Sequence, residues 1–457
     1  MFFSKSLAHG SKVRGTKYRQ AVGVVVLTKP LGTAERIRGY RCVKCGANYQ
    51  LDEVTYTCPV DGENLDLVLN AEWIRAHVQP DDILNNPEHT MWRYLPLLPV
   101  EDPGEHATTF RAVGGTPTFK LPTLAKESGV KWLWAKDESR NPTASFKDRA
   151  SALVVARARE IGARVLVTAS TGNAGAALAG MAAAVHKRAV IFAPKNAPPA
   201  KIAQLLIYGA QVFLVRGTYD DACALSLHAA QEFEWYCRNT GYNPYTLEGK
   251  KTAGYEIWEW WYQNYREHFP FDALSVVVSV GDGNIISGIH KGLYELKAFG
   301  WIDRIPRIIG VQSEKSAAIA NAFEVGTEVI HPVNATTLAD SISVDMPRDG
   351  LRALRAATQT GGAYIKVSDQ QILDAVVSLG RVGVFSEPAA AASYAGVVQA
   401  VKRGLLTETD PVLVMNTGSG LKDVASATKA VEKAVVIKPT LLAVKRALRR
   451  YYQTQAM

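Results

Sequence analysis

The sequence predicts an α/β protein made of two modules, each a parallel sheet covered by helices, that face each other across a cleft. Three observations carry this. Short apolar runs alternate with glycine turns and helix-forming stretches from Arg164 onward, an order that requires crossover connections and therefore parallel strands. The alternation occurs twice, first around 165–215 and again from Ala273 to Met415. Glycine-rich turns follow several of the apolar runs, at the carboxyl ends of strands where α/β sheets place their ligand loops.

The composition suits a globular protein. The chain has 457 residues, 47% of them hydrophobic, enough for several domains and a large core. No apolar run approaches the roughly 18–20 residues that span a bilayer. The longest, Ala21 to Leu27, reads as a buried strand. The net charge of +9 is concentrated at the ends. Met1 to Ala34 contains Lys5, Lys12, Arg14, Lys17, Arg19 and Lys29 with no acid among them, and Lys438, Lys445, Arg446, Arg449 and Arg450 lie near the C-terminus. Without a reading motif these are solvated faces, so neither a nucleic-acid nor a membrane partner is expected. An acid-free basic N-terminus also resembles a transit peptide, but the expected location is cytoplasmic.

Residues 1–100 form an appended segment. Within 41–62, Cys42-Val43-Lys44-Cys45-Gly46 and Cys58-Pro59-Val60-Asp61-Gly62 have the layout of a zinc ribbon, with Asp61 in the fourth place. One oxygen beside three sulfurs is unusual in a structural zinc site, so the ribbon is expected to be degenerate and metal-free, Cys42, Cys45, Cys58 and Asp61 being the candidate ligands otherwise. Cys223 and Cys237 read as packing residues.

The expected domains are 101–156 with 272–430 as the larger, 157–271 as the smaller, and 431–457 as a basic C-terminal helix with Leu441, Leu442, Val444 and Leu448 at helical spacing. Trp132 to Lys136 alternates as a strand. Val165–Thr168, Ala189–Ala193 and Gln211–Val215 read as strands, with helices at Ala176–Val185 and Pro199–Tyr208. In the second run Ser275–Val280 precedes the turn Gly281-Asp282-Gly283-Asn284 and a helix from Ile285 to Leu296, and Ile308–Gln312 and Val412–Met415 are further strands.

The chemistry centres on Asn141-Pro142-Thr143-Ala144-Ser145-Phe146-Lys147-Asp148-Arg149. Proline sets a turn, Ser145 is the expected N-cap, and Lys147 falls in the first turn of a helix. A helix N-terminus disfavours a cation, which lowers the lysine's pKa and frees an amine able to form a Schiff base. The turn Gly281–Asn284 offers backbone amides and a helix end to a phosphate. Asp282 is out of place beside an anion, so its side chain is expected to point away or to cap the helix.

Ser145-Phe146-Lys147-Asp148-Arg149, Ser170-Thr171-Gly172-Asn173-Ala174-Gly175, Gly281-Asp282-Gly283-Asn284 and Thr417-Gly418-Ser419-Gly420 occur in the order seen in threonine synthases. The chain resembles that family from about Trp92 to Asp423, and through it the tryptophan-synthase-β-like enzymes of fold type II that use pyridoxal 5'-phosphate. The resemblance implies that Lys147 carries the cofactor with Phe146 beside its ring. Asn173 would meet the ring hydroxyl, Gly281, Asp282, Gly283 and Asn284 the phosphate, and Thr417 the pyridine nitrogen. Ser170, Thr171, Thr116, Asn243 and Lys250 are the implied substrate contacts. Ser419 stands where the family often has histidine, and Thr246 where it has an arginine for the substrate phosphate. Glu387, in a Glu-Pro element, reads as a helix-start carboxylate or a ligand.

The implied reaction is conversion of O-phospho-L-homoserine and water to L-threonine and phosphate by a homodimeric lyase acting on a small amino-acid substrate. The alternatives are β-elimination or β-replacement on serine, threonine or O-phosphoserine, as in dehydratases or cysteate synthase, and a non-catalytic regulatory protein that binds the cofactor.

Overall fold

The computed structural model describes residues 33–197 and 199–455. The Ala21–Leu27 strand and the basic N-terminal face fall outside the described residues. Among the described residues thirteen strands form three sheets. β1 (Ile37–Cys42), β2 (Asn48–Tyr49) and β3 (Leu65–Leu69) make a small antiparallel sheet in the order β2-β1-β3. It is the ribbon, and its inward residues Tyr40, Cys42, Leu65 and Leu67 are buried in the main core.

β4 (Thr118–Lys120), β5 (Trp132–Asp137), β10 (Ser275–Ser279), β11 (Arg307–Ser313), β12 (Ala363–Val367) and β13 (Pro411–Asn416) form a six-stranded sheet in the order β12-β11-β10-β13-β5-β4. All its pairings are parallel except β4 with β5. β10 and β13 are buried at every residue, as central parallel strands covered on both faces must be. β6 (Val165–Ala169), β7 (Arg188–Pro194), β8 (Gln211–Val215) and β9 (Tyr236–Cys237) form a second parallel sheet in the order β8-β7-β6-β9.

Six helices bear on the site, α1 (Lys147–Glu160), α2 (Asn173–Ala184), α3 (Tyr245–Asn264), α4 (Asn284–Phe299), α5 (Gly350–Thr358) and α6 (Pro388–Lys402), and α7 (Leu441–Gln455) follows near the C-terminus. Residues 245–252, read from sequence as part of a substrate-contacting segment, are the first two turns of α3, and Lys250 and Lys251 are fully buried there. α3 lies against α1 and α4 at backbone range: a Cβ on Gly254 would come within 2.6 Å of the Ile289 carbonyl. α7 leaves Leu441, Leu442 and Leu448 exposed instead of docking them on the body.

Candidate active site

Lys147 is the first residue of α1, and the turn before it is held from three sides. Asp148 reaches back to accept the Thr143 amide at 2.6 Å and the Thr143 hydroxyl. The Phe146 amide donates to the Thr417 carbonyl at 2.9 Å, and the Ser419 amide to the Ala144 carbonyl at 3.1 Å. Ala144 sits at φ +64°, a left-handed conformation that costs an alanine on the order of 1 kcal/mol and persists because these bonds fix its neighbours. Ser145 is not the cap. It bridges Gly418 in an antiparallel pair, Phe146 holds the N-cap position, and Asp148 satisfies the turn.

This places Lys147 in a cleft between the two parallel sheets. The inner part is lined by Lys147, Asn173, the 281–284 turn, Ser341, Glu387 and Thr417. The outer part, about 450 Å³, adds Ser170, Thr171, Tyr219, Arg238, Thr240 and Arg348. The Lys147 pKa is pushed down to about 8, chiefly by burial, with Asp282 opposing the shift and Arg238 reinforcing it. Burial, more than the helix dipole inferred from sequence, therefore frees the amine.

The 281–284 turn links β10 to α4. Gly283, at φ +92°, is the N-cap, and a Cβ there would lie 2.6 Å from that of Ala353. Asp282 neither caps the helix nor turns away: it lines both parts of the cleft, its carboxylate accepting the Arg348 amide at 3.3 Å. The Asn284 side chain turns into the protein, donating to Asp349 at 2.6 Å and accepting from Lys250. What faces the cleft is the first turn of α4, whose amides have no carbonyl partner within the helix.

Lys250 lies behind this turn. Burial pushes its pKa well down, helped by repulsion from Lys147 and Arg238. Arg238 is also fully buried, donating to Ser151 at 3.2 Å and to Thr240 at 2.7 Å while its Nη2 has no partner. Among the described residues neither Lys250 nor Arg238 has an ion pair. A buried guanidinium and a buried amine without ion-pair partners, beside exposed helix-start amides and a partly neutral lysine, fit a small molecule that carries an aldehyde and a dianion.

Glu387 closes the inner end. It holds the N-cap position of α6 but makes no side-chain cap; its carboxylate instead accepts the Asn173 amide at 2.8 and 3.1 Å. Burial raises its pKa to about 7. Thr417 lines the same space, and among the described residues its hydroxyl has no protein partner.

The other residues singled out from sequence divide plainly. Ser170 and Thr171 line the outer cleft at the start of α2. Phe146 is wholly buried in the core beneath the lysine, with the Arg149 guanidinium over its ring. Thr116 is not brought to the cleft: its hydroxyl donates to Glu138 at 2.7 Å, inside a buried charge network of Lys136, Glu138, Arg149 and Glu256. Asn243 is not either, since it spends its side chain on the Cys237 carbonyl and the Tyr245 amide. Thr246 bonds its own turn. Arg238 gives no sequence signal because it follows β9, a strand of only two residues, too short for an alternating pattern to announce.

A family model described as "Pyridoxal-phosphate dependent enzyme" matches residues 109–418. The threonine synthase of Methanocaldococcus jannaschii is 36% identical over 412 residues, covering 90% of this chain and 99% of that protein. That of Mycobacterium leprae is 34% identical over 343 residues, 74% of this chain and 89% of its own. Maize serine racemase superposes with a TM-score of 0.57 at 20% identity, covering 75% of this chain and 94% of its own. Threonine deaminase isoform 2 of Solanum lycopersicum gives 0.57 at 20%, over 69% and 83%. These two structures share the fold. The lysine-centred cleft between two parallel sheets is thus that of a fold type II pyridoxal-phosphate enzyme, a lyase. Within that class, the chain belongs to the threonine synthase family.

Proposed function

We propose that this chain converts O-phospho-L-homoserine and water to L-threonine and phosphate. The observation that carries the reading is Arg238: a buried guanidinium with an unpartnered Nη2 in the outer cleft, on the Lys147 side, is a ready receptor for a second phosphate. It answers the loss of arginine at Thr246, since the cation comes from the residue after β9 instead of from the start of α3.

In this reading the 281–284 turn and the first amides of α4 take the cofactor phosphate, Asn173 faces the ring hydroxyl and Thr417 the pyridine nitrogen. Bound there, pyridoxal phosphate withdraws electrons from the carbon bearing the substrate's amine. A hydroxyl at Thr417 is a weaker proton donor to the ring nitrogen than a carboxylic acid, which suits elimination and replacement over transamination. Ser170, Thr171 and the start of α2 orient the substrate carboxylate. Lys147, with its depressed pKa, takes the proton from Cα and moves protons at Cβ as phosphate leaves Cγ. Water then adds its hydroxyl at Cβ, and a proton ends on Cγ. Asn173 holds Glu387 at the inner end, where a carboxyl near pKa 7 can keep or release a proton during the cycle.

The expected assembly is a homodimer, for which the exposed leucines of α7 offer apolar surface. A cytoplasmic location belongs to the same reading. The residue ranges 101–156 with 272–430, and 157–271, are proposed as the two bodies that close on substrate.

Phosphate release from O-phospho-L-homoserine against O-phospho-L-serine tests the assignment. Threonine and phosphate in equal amounts from the first substrate are expected, and Arg238→Met should lower kcat/KM for it by about a hundredfold. Turnover of O-phosphoserine alone would assign the β-elimination or β-replacement chemistry instead, and no turnover of either would assign a binding role.

A further inference from the structure

The ribbon contains the same turn twice. The Cys42 amide donates to the Ala47 carbonyl at 2.8 Å and the Gly46 amide to the Cys42 carbonyl at 3.1 Å; the Cys58 amide donates to Glu63 and the Gly62 amide to Cys58, each at 2.9 Å. Gly46 and Gly62 both sit in the left-handed region, at φ +75° and +72°. Cys42 and Cys58 therefore hold equivalent positions, and so do Cys45 and Asp61. In the first turn the Lys44 and Cys45 amides point at the Cys42 sulfur, and in the second the Val60 and Asp61 amides point at Cys58.

The two turns face each other. Cys45 Sγ and Cys58 Sγ are 3.7 Å apart, and Cys42 Sγ lies 3.4 and 3.5 Å from the two Asp61 oxygens. All four ligand atoms lie within 4.8 Å of one another. A disulfide needs sulfurs about 2.05 Å apart, so the Cys45–Cys58 spacing is not one. A tetrahedral zinc with Zn–S near 2.3 Å and Zn–O near 2.1 Å sets sulfurs about 3.8 Å apart and sulfur and oxygen about 3.6 Å apart. The observed spacings are those of ligands around one ion.

The ribbon also holds backbone beside the cleft at two points. Tyr56, between the two turns, accepts the Cys237 amide at 3.0 Å and stacks on Tyr242 at 4.5 Å, bracing the end of β9 one residue before Arg238. Asn64, just past the second turn, donates to the Arg348 carbonyl at 2.8 Å and to Asp349 at 3.2 Å. Asp349 in turn holds Asn284 and, through its amide, the Asp282 carbonyl at 2.9 Å.

We propose that Cys42, Cys45, Cys58 and Asp61 bind one zinc ion, and that this ion locks the ribbon whose Tyr56 and Asn64 brace the substrate and cofactor walls of the cleft. This reverses the metal-free expectation from sequence: aspartate is an uncommon fourth ligand, but the repeated turn delivers it to the place a cysteine would take. Zinc binding releases the thiol protons, and the amides aimed at Cys42 and Cys58 stabilise the thiolates that remain. Tyr49, its hydroxyl 3.1 Å from Cys58 Sγ, adds a donor to the same sulfur.

The test uses the full-length protein incubated with equimolar zinc, desalted, and measured for metal by mass spectrometry. One zinc per chain is expected, and cobalt in its place should give the strong visible bands of a tetrahedral thiolate site. Cys45→Ser, at an exposed position that does not endanger folding, and Asp61→Ala should each retain less than about a tenth of an equivalent. Asp61→Cys should keep its zinc at chelator concentrations that strip the wild type. Removing zinc from the wild type should weaken its affinity for pyridoxal phosphate about fivefold, the worth of one hydrogen bond. The proposal is overturned if the wild type retains no zinc, if Asp61→Ala holds it as tightly as wild type, or if the stripped protein binds the cofactor unchanged. None of these readouts depends on turnover.

Discussion

At the residue scale the account rests on how burial sets protonation. With a pKa of about 8, roughly a tenth of Lys147 is neutral at pH 7, against about one part in three thousand for an ordinary lysine. The rate at which the cofactor-free protein captures pyridoxal phosphate, followed by absorbance, should therefore rise with pH and level off above about 8. Glu387 behaves in the opposite sense. Its folded pKa of about 7 lies above the usual 4.5, so between those values the folded state keeps a proton that the unfolded chain has lost, and stability falls as pH rises through that window. The strain amounts to about 3 kcal/mol above pH 7. Glu387→Gln should remove it, melting higher than wild type at pH 8 and by a smaller margin at pH 4.5, while losing any limb of the kcat profile near 7.

At the scale of elements, Arg149 ties three of them together. From α1 it forms ion pairs with Glu138 at 2.7 Å and with Glu256 of α3 at 2.6 Å, and Lys136 of β5 pairs with the same Glu256 at 2.7 Å. Arg149 and both glutamates are buried, so its loss strands the Glu138 carboxylate and leaves Glu256 with Lys136 alone. Arg149→Met should destabilise the fold by about 3–5 kcal/mol in chemical denaturation. Arg149→Met combined with Glu138→Gln, which leaves the Lys136–Glu256 pair intact, should recover much of that.

The central strands and the turns after them were legible in the sequence because apolar runs, glycines and helix starts follow local rules. Gln211–Val215 was placed to the residue, and the Lys147, Asn173, 281–284 and Thr417 segments converge on one cleft. What local rules could not show is pairing across the chain. Asp148 displaced Ser145 at the turn before Lys147 through a side-chain contact that the cap rule does not see. Thr116 went to a buried ion network whose members lie up to 140 residues away, and Asn243 to holding the start of α3. Arg238 gave no local sign at all, because its meaning lies in having no counterion, which only the packed structure reveals.

At the scale of the molecule, the cleft is assembled from both parallel sheets. The six-stranded sheet supplies Lys147, the 281–284 turn, Glu387 and Thr417, and the four-stranded sheet supplies Ser170, Asn173 and Arg238. Cofactor held between them as proposed would touch both, so saturating pyridoxal phosphate should raise the melting temperature, by linkage worth about 2.7 kcal/mol at a hundredfold excess over Kd. Lys147→Ala, which keeps the cradle but loses the amine, should show a smaller rise.

The most direct measurement is borohydride reduction of the cofactor-loaded protein followed by peptide mass mapping. The account predicts one phosphopyridoxyl group per chain, on the peptide containing Lys147, and none on Lys250 or Lys251. A label on another lysine, or no label after full incubation with the cofactor, would contradict it.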